Sequence, residues 1–219
     1  IDQLVASATE EECLKLLTDK GWGDDTQESG ETILSFENEK TWNLIRELTD
    51  DLSPFEILLL PTDYNNLKAV IKSISDNQKP NHVFIAGGNV SLEAMKTAIN
   101  EKEYTLLPNH MVEAAKTAYE TFIQTQDGQL CDAILDRACL YAILECGENS
   151  KSKILADYAE LSGAIANIKI AVRSCKTGKA VAFIGSSIAP CHSLDAGQLI
   201  RAATKDIDAL YAYLSVTPY

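Results

Sequence analysis

Apolar residues along this chain recur mainly three and four positions apart, the spacing that lines one face of an α-helix. Leu67, Val70, Ile71 and Ile74 follow it, as do Ala115, Ala118, Tyr119 and Phe122, and later Cys131, Ile134, Leu135 and Ala138. Ser53-Pro54-Phe55-Glu56 reads as a helix start, with Ser53 as N-cap, Pro54 in first position and Glu56 closing a capping box. Pro61 and Pro108 fall near predicted element ends, and Gly87-Gly88-Asn89 and Gly128 mark turns. The best short strand candidate, Val181-Ala182-Phe183-Ile184, fits a helix equally well. The pattern predicts an all-α fold.

The same pattern repeats at long range. Asn66-Leu67-Lys68-Ala69-Val70-Ile71-Lys72-Ser73 aligns with Asn167-Ile168-Lys169-Ile170-Ala171-Val172-Arg173-Ser174 at a constant offset of 101. Asn, Lys and Ser are identical at their positions, three more pairs are conservative, and the remaining two are apolar in both copies. Ser91-Leu92-Glu93-Ala94 then pairs with Ser193-Leu194-Asp195-Ala196 at an offset of 102. Two matches in one order, at nearly one interval, argue for duplication. A third echo joins Gln3-Leu4-Val5 and Ala8-Thr9 to Gln198-Leu199-Ile200 and Ala203-Thr204. The register this implies is one unit over 1–86, its leading helix missing, a second over 87–189, and the start of a third over 190–219. A repeat buries its apolar face against its neighbours, so a third copy cut short implies that the natural chain continues.

Within the repeat, Asn66 and Asn167 lie one turn before Val70 and Ala171, on or beside the apolar face. There an amide offers donors and lone pairs to a neighbouring helix end or to a partner. Lys68, Lys72, Lys169 and Arg173 fall away from that face, towards solvent or a partner carboxylate.

Composition narrows the classes. With 46% hydrophobic and 23% charged residues in 219, the chain has material for a sizeable core. A net charge of −13 disfavours a nucleic-acid partner, which needs a basic surface. Residues 1–60 hold 15 Asp and Glu against Lys15, Lys20, Lys40 and Arg46, a net of −11. That patch is either a solvated acidic face or a surface that steers a basic partner. Cys13, Cys131, Cys139, Cys146, Cys175 and Cys191 contain no C-x-x-C pair and read as reduced thiols of a cytosolic protein. The longest apolar run, Ile57-Leu58-Leu59-Leu60, is far short of the roughly 20 residues a membrane span needs. The opening Ile1-Asp2-Gln3 does not resemble a signal peptide, and the missing initiator Met implies a processed or trimmed start.

Asp63-Tyr64-Asn65-Asn66-Leu67-Lys68 resembles the D-x-x-N-L-K signature of the C-type subunit (the d-type in eukaryotes) of V-type and A-type rotary ATPases. Asp132-Ala133-Ile134-Leu135-Asp136-Arg137 is similar to the family's D-x-x-L-D-K/R helix, and Asn167-Ile168-Lys169 with Arg173 to its second N-I-K…R motif. Leu214-Ser215-Val216-Thr217-Pro218-Tyr219 resembles its L-x-x-T-x-Y segment. One departure is Ala164, which stands where the second motif would carry the counterpart of Asp63. The resemblance implies repeated helical units in a funnel with pseudo-threefold symmetry, incomplete in this stretch. It further implies a cytoplasmic, membrane-peripheral, non-catalytic component between the proteolipid rotor ring and the central-shaft subunits, passing on torque for H+ or Na+ transport. It carries no catalytic, cofactor-binding or metal-binding residues. A generic α-helical scaffold that grips a protein partner is the alternative.

Pieces of a serine β-lactamase signature are also present: Ser150-Lys151-Ser152-Lys153, Ser75-Asp76-Asn77 and Lys176-Thr177-Gly178. Their order is wrong, because S-D-N should follow S-x-x-K, and the helical pattern supplies no sheet edge for K-T-G. Gly178-Lys179 lacks a P-loop frame. His82, His110 and His192 are far apart, and Cys191-His192 reads as a turn before a Ser193 cap. Asp132 and Asp136, one turn apart beside Arg137, read as an ion-paired or solvated face, and Trp22 and Trp42 as local packing anchors.

Overall fold

A computed structural model describes residues 1–24, 29–74 and 84–219. Among them the regular elements are all helical. Ser75-Asp76-Asn77 and His82 lie outside the described residues. The chain forms two compact units, Ile1–Ser53 and Pro54–Tyr219.

The first unit carries α1 (Asp2–Ala6), α2 (Glu10–Asp19) and α3 (Gly30–Leu48). Its helix starts are made by short polar side chains. The Thr9 hydroxyl accepts the Glu12 N–H at 3.2 Å, and Ser29 and Thr32 close a capping box on α3. Ile33 is its one fully buried large side chain among the described residues. Trp22, expected to anchor packing, is 42% exposed.

A 3-10 turn, Ser53–Phe55, leads into the second unit and α4 (Glu56–Ser73). The α-helix begins at Glu56, behind the 3-10 turn, rather than at Pro54, and the expected cap is not formed. The Ser53 hydroxyl donates instead to Asp51 at 2.7 Å, because that carboxylate is a stronger acceptor two residues away. Pro61, expected near an element end, lies inside α4. Pro108 does mark a boundary, as the N-cap of α6.

There follow α5 (Leu92–Asn100), a 3-10 turn Tyr104–Leu106, α6 (Asn109–Thr125), α7 (Gly128–Asn149) and α8 (Lys153–Thr177). The strand candidate at 181–184 is helical, inside α9 (Val181–Ser187), and α10 (Ala196–Lys205) and α11 (Ile207–Leu214) complete the unit.

Helix α7 is the hub and packs against α4, α6, α8 and α9. One core gathers Tyr64, Leu67, Ile71, Met95, Ile99, Met111 and Leu135 from α4 to α7. A second joins Ala164 and Ala171 of α8 to Ile184, Leu199 and Leu210. Each fully buried Leu or Ile contributes about 1.5–3 kcal/mol. Where α7 crosses α8, Gly147 lets the backbones approach: a Cβ there would overlap the Ala159 methyl and come 3.1 Å from the Leu155 carbonyl oxygen.

Candidate functional site

The two repeated asparagines do the same work in the two copies of the motif. Asn66, 2% exposed on α4, donates its amide to the Ile85 carbonyl and accepts the Ile85 N–H, both at 2.8 Å. Asn167, equally buried on α8, donates to the Ala189 carbonyl at 2.7 Å and accepts the Ala189 N–H at 3.0 Å. Each amide thus satisfies both polar groups of one loop residue, as a neighbouring strand would. The loop entering α5 is thus pinned to α4, and the loop between α9 and α10 to α8. Of the two readings open at these positions, the structure shows the helix-to-backbone contact.

A carboxylate reinforces each lock. Asp63 accepts the Val90 N–H at 3.0 Å and the Asn89 amide at 2.9 Å, just before α5. Burial pushes its pKa up, opposed by those hydrogen bonds. Gly88 leaves room for this carboxylate, since a Cβ there would overlap its Oδ1. On α8 the matching position is Ala164, and the contact is made one turn earlier by Glu160. Its carboxylate accepts the N–H groups of His192 at 3.0 Å and Ser193 at 2.7 Å and the Ser193 hydroxyl at 2.5 Å. Sequence alignment missed Glu160, and its signal was an acid at the matching face one turn upstream.

Ser193 is therefore a lock residue, and the cap of α10 falls to Asp195, which accepts the Gln198 N–H at 2.6 Å. The L-x-x-T-x-Y segment closes onto the same place. The Tyr219 hydroxyl meets Ser193 Oγ at 2.8 Å, and Tyr213 accepts the Asp195 N–H at 2.8 Å.

Burial raises the Glu160 pKa, but the three hydrogen bonds outweigh it and hold the carboxyl below its ordinary value. A depressed acid contributes stability that is present above its unfolded-state pKa and is lost as pH falls through the folded one. Glu160→Gln is expected to lower stability by about 1–2 kcal/mol at neutral pH. The gap to the wild type should shrink in thermal melts taken progressively below pH 4.5, and a gap that widens would refute the assignment.

The D-x-x-L-D-R helix is α7, and its two aspartates are ion-paired. Lys72 Nζ lies 2.6 and 2.7 Å from the two Asp132 oxygens, and Lys68 pairs with Asp136. Both rungs join residues one turn apart on antiparallel helices. Arg137 turns away, donating to the Ile188 carbonyl at 3.1 Å and lying over the Tyr141 ring. These pairs are partly solvated, so a double-mutant cycle on Lys72 and Asp132 should give a coupling of about 0.3–1 kcal/mol that falls with added salt.

The β-lactamase pieces that lie among the described residues are not brought together. Ser150 caps the end of α7 and Lys153 pairs with Asp157 in solvent, at the start of α8. Lys176 and Thr177 lie at its other end, about 36 Å away at 1.5 Å per residue. Gly178 is the left-handed terminator of that helix, with φ +64°. His192 is exposed and meets Glu148 at 3.3 Å, while Cys191 Sγ receives the Asn167 amide at 3.6 Å. Cys131 and Cys139 are buried thiols whose pKa burial pushes up to about 11 and about 12, so they stay protonated.

An all-α protein in which buried amides, each beside a carboxylate, pin two corresponding loops to long helices is a packed scaffold. A family model agrees over residues 1–219, and the chain belongs to the ATP synthase (C/AC39) subunit family. A curated relative is the C-type subunit of the V-type sodium ATPase of Enterococcus hirae, 23% identical over 189 residues that make up 86% of this chain and 58% of the relative. The chain thus spans a little over half the length of that relative. No solved structure matches it. Among the described residues no helix is long and apolar enough to cross a membrane.

Proposed function

We propose that this protein is a central-stalk component of a V-type or A-type rotary ATPase, doing no chemistry itself and linking the rotor shaft to the membrane ring. The observation that carries the reading is the family match along the whole chain. In this role the protein is peripheral on the cytoplasmic face of the membrane, and its partners are the proteolipid ring and the shaft subunits. It passes on torque for H+ or Na+ transport.

Torque transmission asks for stiffness, and loops pinned by buried polar pairs support that demand, because such pairs hold a single geometry. The repeat register 1–86, 87–189 and 190–219, with units related by a pseudo-threefold axis, is part of the same proposal. The duplicated Asn lock supports it.

The test is coupling. Membranes from cells lacking the full-length protein should lose ATP-driven ion uptake and regain it on complementation, while the purified protein alone hydrolyses no ATP. Undiminished uptake without it, or ATP hydrolysis by the purified protein itself, overturns the proposal.

A further inference from the structure

Lys72-Ser73 of α4 and Arg173-Ser174 of α8 hold the same positions in the two copies of the repeat, but they are not used alike. Lys72 engages Asp132, and the Ser73 hydroxyl donates to the Val70 carbonyl at 2.7 Å. Among the described residues Arg173 makes no ion pair. Ser174 is 3% exposed, and among the same residues its hydroxyl has no hydrogen-bond partner. Both side chains line one groove of about 380 Å³ between α7, α8 and α9. Lys179 lines it too, lying over the Phe183 ring at 4.9 Å and donating to the Gln129 side-chain oxygen at 2.9 Å, with further N–H groups left for a ligand. The other polar groups of the groove are already partnered. Asp132 and Asp136 pair with Lys72 and Lys68, Thr177 donates to the Arg173 carbonyl, and Ser187 donates to the Phe183 carbonyl. Ala133, Ile170 and Phe183 give the groove an apolar wall.

We propose that this groove binds a small organic phosphate monoester, its phosphate held by Arg173, Lys179 and Ser174 and its organic body set against Ala133, Ile170 and Phe183. The groups that remain to be partnered are donors, so the ligand that fits them is rich in acceptors. Arg173 offers a planar fork that matches two oxygens of one oxyanion, and Lys179 adds a second positive charge. The Ser174 hydroxyl is withdrawn from water, and an acceptor in the groove restores the hydrogen bond it has lost. Charge selects phosphate over carboxylate. Each aspartate in the groove is neutralised by a lysine of α4, so Arg173 and Lys179 face the site with two uncompensated charges. A monoester near its second ionisation balances both, and a carboxylate balances one. The volume lies at the lower end of ligand pockets, which run from about 300 to 1,000 Å³, and suits a phosphate on a small ring or chain. The inference goes beyond the stalk reading and does not depend on it.

Calorimetric titration of the 219-residue protein with phenyl phosphate tests the site, with inorganic phosphate and benzoate in parallel. Saturable binding of phenyl phosphate is expected. Inorganic phosphate should bind more weakly because it lacks the organic body, and benzoate because it lacks the second charge. Arg173→Gln and Lys179→Gln should each lower the affinity at least tenfold. Arg173→Lys keeps the charge and loses the fork, so its affinity should fall between that of Arg173→Gln and the wild type. Ser174→Ala should weaken binding severalfold. Lys176→Gln removes a neighbouring exposed cation that does not line the groove and should leave binding unchanged. Far-UV circular dichroism of each variant separates loss of the site from loss of the fold. Amide shifts in NMR spectra should concentrate at 129–136 and 170–187. The proposal is overturned by absence of saturation at millimolar phenyl phosphate, or by shifts centred outside this groove. An equal loss in Lys176→Gln overturns it as well, since that marks diffuse attraction to the basic end of α8. Benzoate binding as tightly as phenyl phosphate also overturns it, because a carboxylate would then be the group recognised.

Discussion

Asn167→Ala is expected to destabilise the Pro54–Tyr219 unit by about 2–4 kcal/mol, the sum of two buried backbone groups left without partners. Ala189 is 2% exposed, so no water replaces the lost amide at its N–H and carbonyl. The same change at Asn66 should cost less than half as much. Its partner Ile85 is 48% exposed, and solvent can take over part of both hydrogen bonds. Asn167→Asp should be at least as costly as alanine, because it sets a carboxylate oxygen against the Ala189 carbonyl. Chemical denaturation of the variants measures all three. Equal costs at Asn66 and Asn167 would show that burial of the partner does not decide the matter.

Gly147→Ala should also destabilise, by about 1–3 kcal/mol, although alanine is the better helix former by about 1 kcal/mol. The new methyl meets the Ala159 methyl and the Leu155 carbonyl oxygen, neither of which can swing aside as the end of a flexible chain could. The α7–α8 crossing must open, with loss of packing along both helices. Ala159→Gly removes the principal clash but itself costs about 1 kcal/mol in a helix interior, so the double variant should be more stable than the sum of the two single changes predicts. Simple additivity would place the cost elsewhere than at this crossing.

Much of this architecture is legible in the residues, for reasons that are local. The 3.6-residue period yields α4, α6 and α7 because their apolar faces are continuous. Asn66 and Asn167 stand out because a buried amide must have partners, and the duplication marks both at once. The ion ladder was half visible: Asp132 and Asp136 share a face, but only the packing of α4 on α7 brings Lys72 and Lys68 to them.

What the pattern missed depends on contacts distant in sequence. Glu160 takes over from the absent acid at 164 by reaching back a turn, and no fixed offset reveals that. The Ser53 cap failed because Asp51 competes for its hydroxyl, and the Ser193 cap because Glu160 claims it. Pro61 looked like a terminator and is carried inside α4. The third echo aligns α1 with α10, yet Leu4 and Val5 are not buried while Leu199 is fully so. Packing separates what sequence equates.

Co-purification of the tagged full-length protein from its native membranes tests the proposed place in the stalk of a rotary ATPase. Mass spectrometry of the eluate should find the proteolipid ring and central-shaft subunits in fixed proportion to the bait. Recovery of the bait as a soluble monomer, free of both, would contradict it.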